Sequence, residues 1–302
     1  MKGFQLNTRL PLEQSLKKVL EDTIYGMELF ANPEIDPSGT VHESRKTIKR
    51  IRSLLKMIRD GSGYGFYFRE NRFFRDLSRR MAPARDLCVL LEILNSLEKK
   101  YPGRLKKAGL NILRDHITGM MEKHLQHLIQ SPEGFAFIAG ELEGAVQRIK
   151  ETLTVSDGFN SIGTGIGRIY RRARNYLSEM GLDPPMELLH EYRKNCRYLQ
   201  FQMELIQPIF PTVLKAYASS INDHTEILGK IRDYQRFDVF IHHDLPGVLP
   251  DPELALILDA VKHQRSKAMT GLFRKGRFIF AEKPGAFIDR IHMYWDVYFN
   301  LI

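Results

Sequence analysis

The feature that most constrains this chain is that it repeats itself. His42-Glu43-Ser44-Arg45-Lys46 recurs as His190-Glu191-Tyr192-Arg193-Lys194, 148 positions later, and Lys49 and Arg197 keep that offset. Arg85-Asp86 recurs as Arg232-Asp233 at an offset of 147. Two separate motifs at nearly one spacing, in one order, are explained most economically by an internal duplication. The chain of 302 residues then divides into a first half, 1–155, and a second half, 168–302. Between them lies the segment 156–167 (SDGFNSIGTGIG), whose Gly, Ser and Asn content reads as a linker.

Both halves carry helical periodicity. Ile48, Ile51, Leu55 and Ile58 are spaced 3, 4 and 3 apart, which places them in one buried stripe. The pattern predicts helices at about 11–31, 40–60, 66–81, 84–101, 104–129 and 133–153, then 165–180, 186–207, 210–228, 231–242, 251–273 and 286–300. Turn signals separate them, among them Asn32-Pro33 to Gly39, Pro184-Pro185 and Pro246 to Pro252. The one candidate strand is Arg277-Phe278-Ile279-Phe280. The composition, 43% hydrophobic and 27% charged, excludes a disordered chain. Cys88 and Cys196 cannot form a disulfide framework, and no apolar run is long enough to span a membrane. Scattered charges in the first twenty residues oppose a signal peptide, so the expected location is cytoplasmic.

The net charge is +9, and nearly all of it sits in the first half. Such a balance points to a polyanion: nucleic acid, anionic lipid or polymeric phosphate. At 100° per residue, His42, Arg45, Lys46, Lys49, Arg52 and Lys56 fall on one arc opposite the apolar stripe. Like charges so placed repel by a few tenths of a kcal/mol per i,i+4 pair, a cost that an anionic partner reverses. His190, Arg193, Lys194 and Arg197 repeat the pattern. Further stripes are Arg168, Arg171, Arg172 with Asn175, and Arg69, Arg72, Arg75 with Arg79. Arginine grips phosphate oxygens in pairs, and lysine supplies a mobile point charge.

H-x-x-R-K-x-x-[KR] on a helix, repeated once, with an Arg-Asp pair beginning a later helix in each half, resembles the conserved histidine α-helical domain (CHAD) family. The resemblance spans residues 10–300. It implies an all-α fold, a single domain of two pseudo-symmetric helical bundles around a central basic cleft or pore. It also implies binding of inorganic polyphosphate without catalysis, and granule association becomes one destination in the cytoplasm. By position, the ligand-facing residues are His42, Arg45, Lys46, Lys49, Arg52, His190, Arg193, Lys194 and Arg197. Lys56 extends the first stripe, and the helix with Arg168, Arg171 and Arg172 resembles the family's RRxR-type helix. One departure stands out: the second repeat has Gln200-Phe201 where the family continues with Arg-Tyr.

Other chemistries fit less well. His42-Glu43 and His190-Glu191 begin an H-E-x-x-H pattern, but Lys46 and Lys194 stand where the second zinc ligand belongs. Gly163 to Gly167 lacks G-x-G-x-x-G spacing, and Gly229-Lys230 is followed by Ile231, which fails as a P-loop. No cofactor or metal is implied. Nucleic acid is the alternative partner, disfavoured because no aromatic, Asn or Gln interleaves the stripe from His42 to Lys56. A phosphate-transferring enzyme would need carboxylates beside the stripes to hold Mg²⁺, and Glu43 and Glu191 project off their centre. Asp86 and Asp233 are expected to cap helix starts, while Arg85 and Arg232 either pair with a carboxylate or reach the cleft.

Overall fold

The computed structural model describes residues 4–30, 33–181, 184–245 and 247–300; the sequence signals at 31, 32 and 246 lie outside them. It is all-α, with no strand among the described residues. The first half holds α1 (Leu12–Tyr25), α2 (Pro37–Met57), α3 (Tyr64–Arg80), α4 (Ala82–Lys100), α5 (Lys107–Gln130) and α6 (Phe135–Thr152). The second holds α7 (Asn160–Glu179), α8 (Met186–Leu205), α9 (Pro211–Asp244), α10 (Asp251–Thr270), α11 (Leu272–Ile279) and α12 (Pro284–Asn300). No described helix is long and apolar enough to cross a membrane.

The apolar stripe of α2 is buried as its spacing requires: Ile48, Ile51, Leu55 and Ile58 are fully enclosed. That helix starts three residues earlier than the pattern suggested. Pro37 occupies its first turn, and the Asp36 carboxylate accepts a hydrogen bond from the Gly39 N–H at 2.9 Å. In the first half a break at Met81, just before Pro83, separates α3 from α4. In the second half α9 runs unbroken for 34 residues, where two helices were expected. Gly229, in the gap between those two expected helices, lies inside it. The expected strand is also helical: Leu272, Gly276 and Ile279 share the buried face of α11, which leaves Phe278 exposed.

Residues 160–167 of the expected linker form the first two turns of α7. Their glycines serve close helix packing. A Cβ at Gly165 would overlap the Met57 carbonyl at the end of α2, and one at Gly167 would press on Ile288 of α12. Small residues here let three helices approach. Two hydrophobic cores result, each drawing on both halves. The larger unites α1–α3, α6–α8, α11 and α12 with the start of α4, the end of α5 and the first part of α9, and the smaller unites the rest of α4 and α5 with the end of α9 and α10. Gly165→Ala is therefore expected to destabilise the protein by about 3 kcal/mol in urea unfolding, since backbone must shift. Gly140→Ala, on the open face of α6 with nothing near its Cβ, should stabilise by about 0.5 kcal/mol.

Candidate functional site

The two motif helices meet. Ser53 Oγ of α2 donates to the Tyr198 carbonyl of α8 at 2.8 Å, and Gln202 Nε2 donates back to the Ser53 carbonyl at 3.3 Å. Because each helix buries its apolar side, this contact leaves the basic faces of α2 and α8 in one electrostatic neighbourhood. Lys49 lies at its centre. Burial, then the like charges of Arg193, Arg45, Arg232 and Arg197, lower its pKa to about 7. No carboxylate or hydrogen-bond acceptor reaches its ammonium among the described residues.

Arg193 is also crowded by cations, with Asp233 and Glu226 offsetting them only in part. Its Nε is buried without a hydrogen bond, and its guanidinium makes no ion pair among the described residues. Burial first, then Arg232 and Arg197, pull its pKa down to about 10. Gly229 of α9 makes room for it: a Cβ there would stand 3.1 Å from the guanidinium. Arg45 donates to the Ser78 carbonyl of α3, yet its Nε is buried and unpaired. Burial lowers its pKa as well, with Asp86 opposing.

At the other end of the stripe, Lys56 donates to Tyr67 Oη at 3.3 Å and lies 5.2 Å from the Tyr198 ring centroid. Burial, then Arg52, Lys194, Arg172 and Arg59, lower its pKa to about 8. Arg52 is held by Asn71 at 3.1 Å. From there the positive field continues onto α7. Arg168 is paired with Asp60 and feels Arg59, Arg172 and Arg171, while Arg171 and Arg172 are exposed and make no hydrogen bond or ion pair among the described residues.

His42 and His190 border the cluster. Both imidazoles have lowered pKa values, first through burial and then through Arg85 for His42, and Arg232 and Lys194 for His190. Neither ring hydrogen-bonds a backbone carbonyl among the described residues; His42 Nε2 lies 3.5 Å from Glu43. Lys46 and Lys194 each pair with the glutamate three residues before them, Glu43 and Glu191. Arg197 is fully engaged, with Gln200 at 2.9 Å, Asn222 at 3.1 Å and Glu226 at 2.7 Å.

The Arg-Asp pairs do not cap helices. Asp86 lies in the second turn of α4 and takes a two-pronged ion pair from Arg236 of α9, which links the halves. Asp233 is deep within α9 and accepts from its neighbour Arg232 at 3.0 Å. Arg85 pairs with Glu92 at 2.7 Å, but its charge and that of Arg232 still reach the histidines. Arg232, left open between a carboxylate and the cleft, does both. Arg236 and Arg59 were not read as site residues. Only a tertiary contact brings them in. The stripe at Arg69, Arg72, Arg75 and Arg79 is on α3, outside this cluster. Among the described residues no three His, Cys, Asp or Glu side chains gather as a metal site.

Lys49→Met should raise the unfolding free energy of the ligand-free protein by about 1 kcal/mol near neutral pH, since it removes a half-buried unpaired cation. The advantage belongs to the charged form, so it is full below pH 7 and fades as pH rises towards the ordinary lysine value. Chemical unfolding of both proteins across that range measures it.

A family model described as CHAD domain matches residues 15–242. Among solved structures, PptA from Streptomyces chartreusis superposes with a TM-score of 0.66 at 12% identity, covering 90% of this chain and 100% of that one. The CHAD domain from the plant Ricinus communis superposes with a TM-score of 0.57 at 16% identity, covering 93% and 96%. No curated protein sequence matches significantly.

Proposed function

The chain belongs to the CHAD domain family, and we propose that it binds inorganic polyphosphate, without catalysis, in the cation cluster between α2 and α8. The observation that carries the reading is the pair Lys49 and Arg193, two half-buried cations from the two motif helices that make no ion pair among the described residues. Confining like charge in this way costs free energy that a second anionic component recovers. A linear chain of phosphates suits it. Such a ligand is densely charged and flexible and has no bases to read, while the cations here include both forked guanidiniums and point charges.

Polyphosphate would sit first against Arg45, Lys49 and Arg193, where neutralisation is least complete. His42 and His190 flank it, Arg52, Lys56, Lys46 and Lys194 line one continuation, and Arg168, Arg171 and Arg172 extend that direction along α7. Arg197 contributes through its charge, because its donors are already committed to Gln200, Asn222 and Glu226. The cytoplasm, with polyphosphate granules in it, is the setting in which such a ligand is met.

Replacing Lys49 and Arg193 together with Ala should weaken long-chain polyphosphate binding at least about tenfold while melting is retained, since two unpaired cations are removed. Affinity should fall steeply with salt, with a log–log slope steeper than about −4 if six or more phosphates are engaged. A nearly salt-independent affinity refutes the reading. Equal competition by DNA of matched charge would favour the nucleic-acid alternative.

The pH dependence has a defined sign. A bound polyanion raises the pKa of Lys49 and Lys56 from about 7 and about 8, so the complex holds more protons than the free protein. Affinity therefore declines as pH rises through that interval. The lowered histidine values add a second gain on the acid side of the ordinary imidazole range. A titration of affinity should lose its neutral limb near pH 7 in Lys49→Met, with the part near pH 8 left to Lys56, and its acid limb in His42→Gln/His190→Gln. Identical profiles for the wild type and the histidine double variant would make the histidines structural.

A further inference from the structure

The arginine stripe of α3 has no part in the cluster just described, yet it adjoins it. Three cations of α2 fix which side of α3 faces them. Lys56 donates to Tyr67 Oη, Arg52 to Asn71 Oδ1 at 3.1 Å, and Arg45 to the Ser78 carbonyl. Arg75 is four residues after Asn71 and three before Ser78, so it stands on that same side, over the basic face of α2. Arg72 and Arg79 lie one turn to either side of it along the helix, rotated towards solvent.

The local charge is unbalanced. Arg72, Arg75 and Arg79 approach one carboxylate, Asp76, at 3.8, 2.8 and 3.4 Å. One negative charge is thus set against three positive ones. Elsewhere on α3 the arginines are matched differently: Arg69 shares the fully buried Glu70 with Arg148, at 2.7 and 3.2 Å, and Arg80 reaches Glu133 at 3.5 Å. Arg72 and Arg79 remain 66% and 69% exposed, which leaves their donors available to a ligand.

We propose that Arg72, Arg75 and Arg79 form a surface track that takes the part of a polyphosphate chain leaving the α2–α8 cluster. The inference rests on the function proposed above and names a further binding site for it. A polymer longer than the cluster has to run out over protein surface, and α3 offers adjoining cations in surplus. From Arg72 to Arg79 the helix rises about 10 Å, so the track engages several successive phosphates. Asp76 holds the three guanidiniums in place in the free protein and competes with the ligand for them. The site consequently makes the protein favour long chains over short ones.

The test compares tripolyphosphate with long-chain polyphosphate on the full chain, by calorimetry at fixed salt. Arg72→Gln/Arg75→Gln/Arg79→Gln should lower long-chain affinity roughly fivefold or more, and reduce the magnitude of its salt slope by about 2, that is about 0.7 for each lost contact. Tripolyphosphate affinity should change less than about twofold, because the short ligand stays in the cluster. Asp76→Asn should act in the opposite direction and tighten long-chain binding. Circular dichroism and melting confirm that both variants fold.

Equal losses for both ligands would place these arginines in the main site and overturn the track. Unchanged long-chain affinity would reduce them to a solvated helix face and overturn it as well. The Lys49→Ala/Arg193→Ala variant separates this failure from failure of the underlying reading. If long chains still bind that variant fully, the cluster is not the site and the track is no continuation of it. Loss of single-stranded RNA binding, with polyphosphate unaffected, would assign the face to nucleic acid instead.

Discussion

Everything around the candidate site depends on confining positive charge that the protein does not neutralise itself. Lys49 and Arg193 come from corresponding stretches of two helices that pack through Ser53, Tyr198 and Gln202. The packing is buried and hydrogen-bonded, so it decides where the charges stand whether or not they favour the arrangement. Their depressed pKa values record the outcome: burial and mutual repulsion act in one direction, and the carboxylates of Asp233 and Glu226 offset them only in part at Arg193. Stability is supplied elsewhere, by two cores that each unite segments from both halves of the chain. Neither core falls to one half alone, so the halves are held face to face, and the cation cluster cannot relax by moving them apart.

The acidic residues near the cluster have a complementary role. Asp86 clamps Arg236 of the other half, Asp233 holds Arg232, and Glu92 holds Arg85. Each occupies a cation at the border and leaves the centre bare. Half-buried pairs of this kind contribute little net stability, but removing one partner strands the other, so they fix orientation. Border arginines are thereby held in place while their charge still acts on Lys49, Arg45 and the histidines.

Much of this was legible in sequence, and the reason is periodicity. The stripe Ile48, Ile51, Leu55, Ile58 and the arc from His42 to Lys56 are two sides of one helix, so the burial of one predicts the exposure of the other. What failed was the reading of glycine. Gly163, Gly165 and Gly167 look like a flexible linker, and Gly229 falls in the gap between two expected helices, because composition cannot separate a turn from a close helix crossing. Gly165 is needed for the Met57 carbonyl and Gly229 for the Arg193 guanidinium, and both needs arise from partners distant in sequence. Asp86 and Asp233 were misread as caps for a similar reason: their real partners are set by the α4–α9 contact and by position within a 34-residue helix. The lowered pKa of Lys49 was also invisible, since spacing gives the face of a residue but not how deeply that face is covered.

Gln200 stands, by the offset of the recurring motif, at the position of Arg52. Arg52, its counterpart in the first half, rests on Asn71 and carries a charge. Gln200 carries none. It accepts from Arg197 through Oε1 and donates through Nε2 to Glu204 and Asn222, and Glu226 completes the shell around that arginine. The residue equivalent to Arg197 in the first half is Lys49, which has no such shell. One repeat therefore presents a bare cation at the position where the other presents a satisfied one. Under the proposed function a polyanion entering between α2 and α8 would meet unequal sides and gain most from neutralising Lys49 and Arg193, one from each motif helix but not equivalent by offset. The two motif helices thus bring together a bare cation and a satisfied one at matching motif positions, and under the proposed function the first phosphates would be held on the bare side.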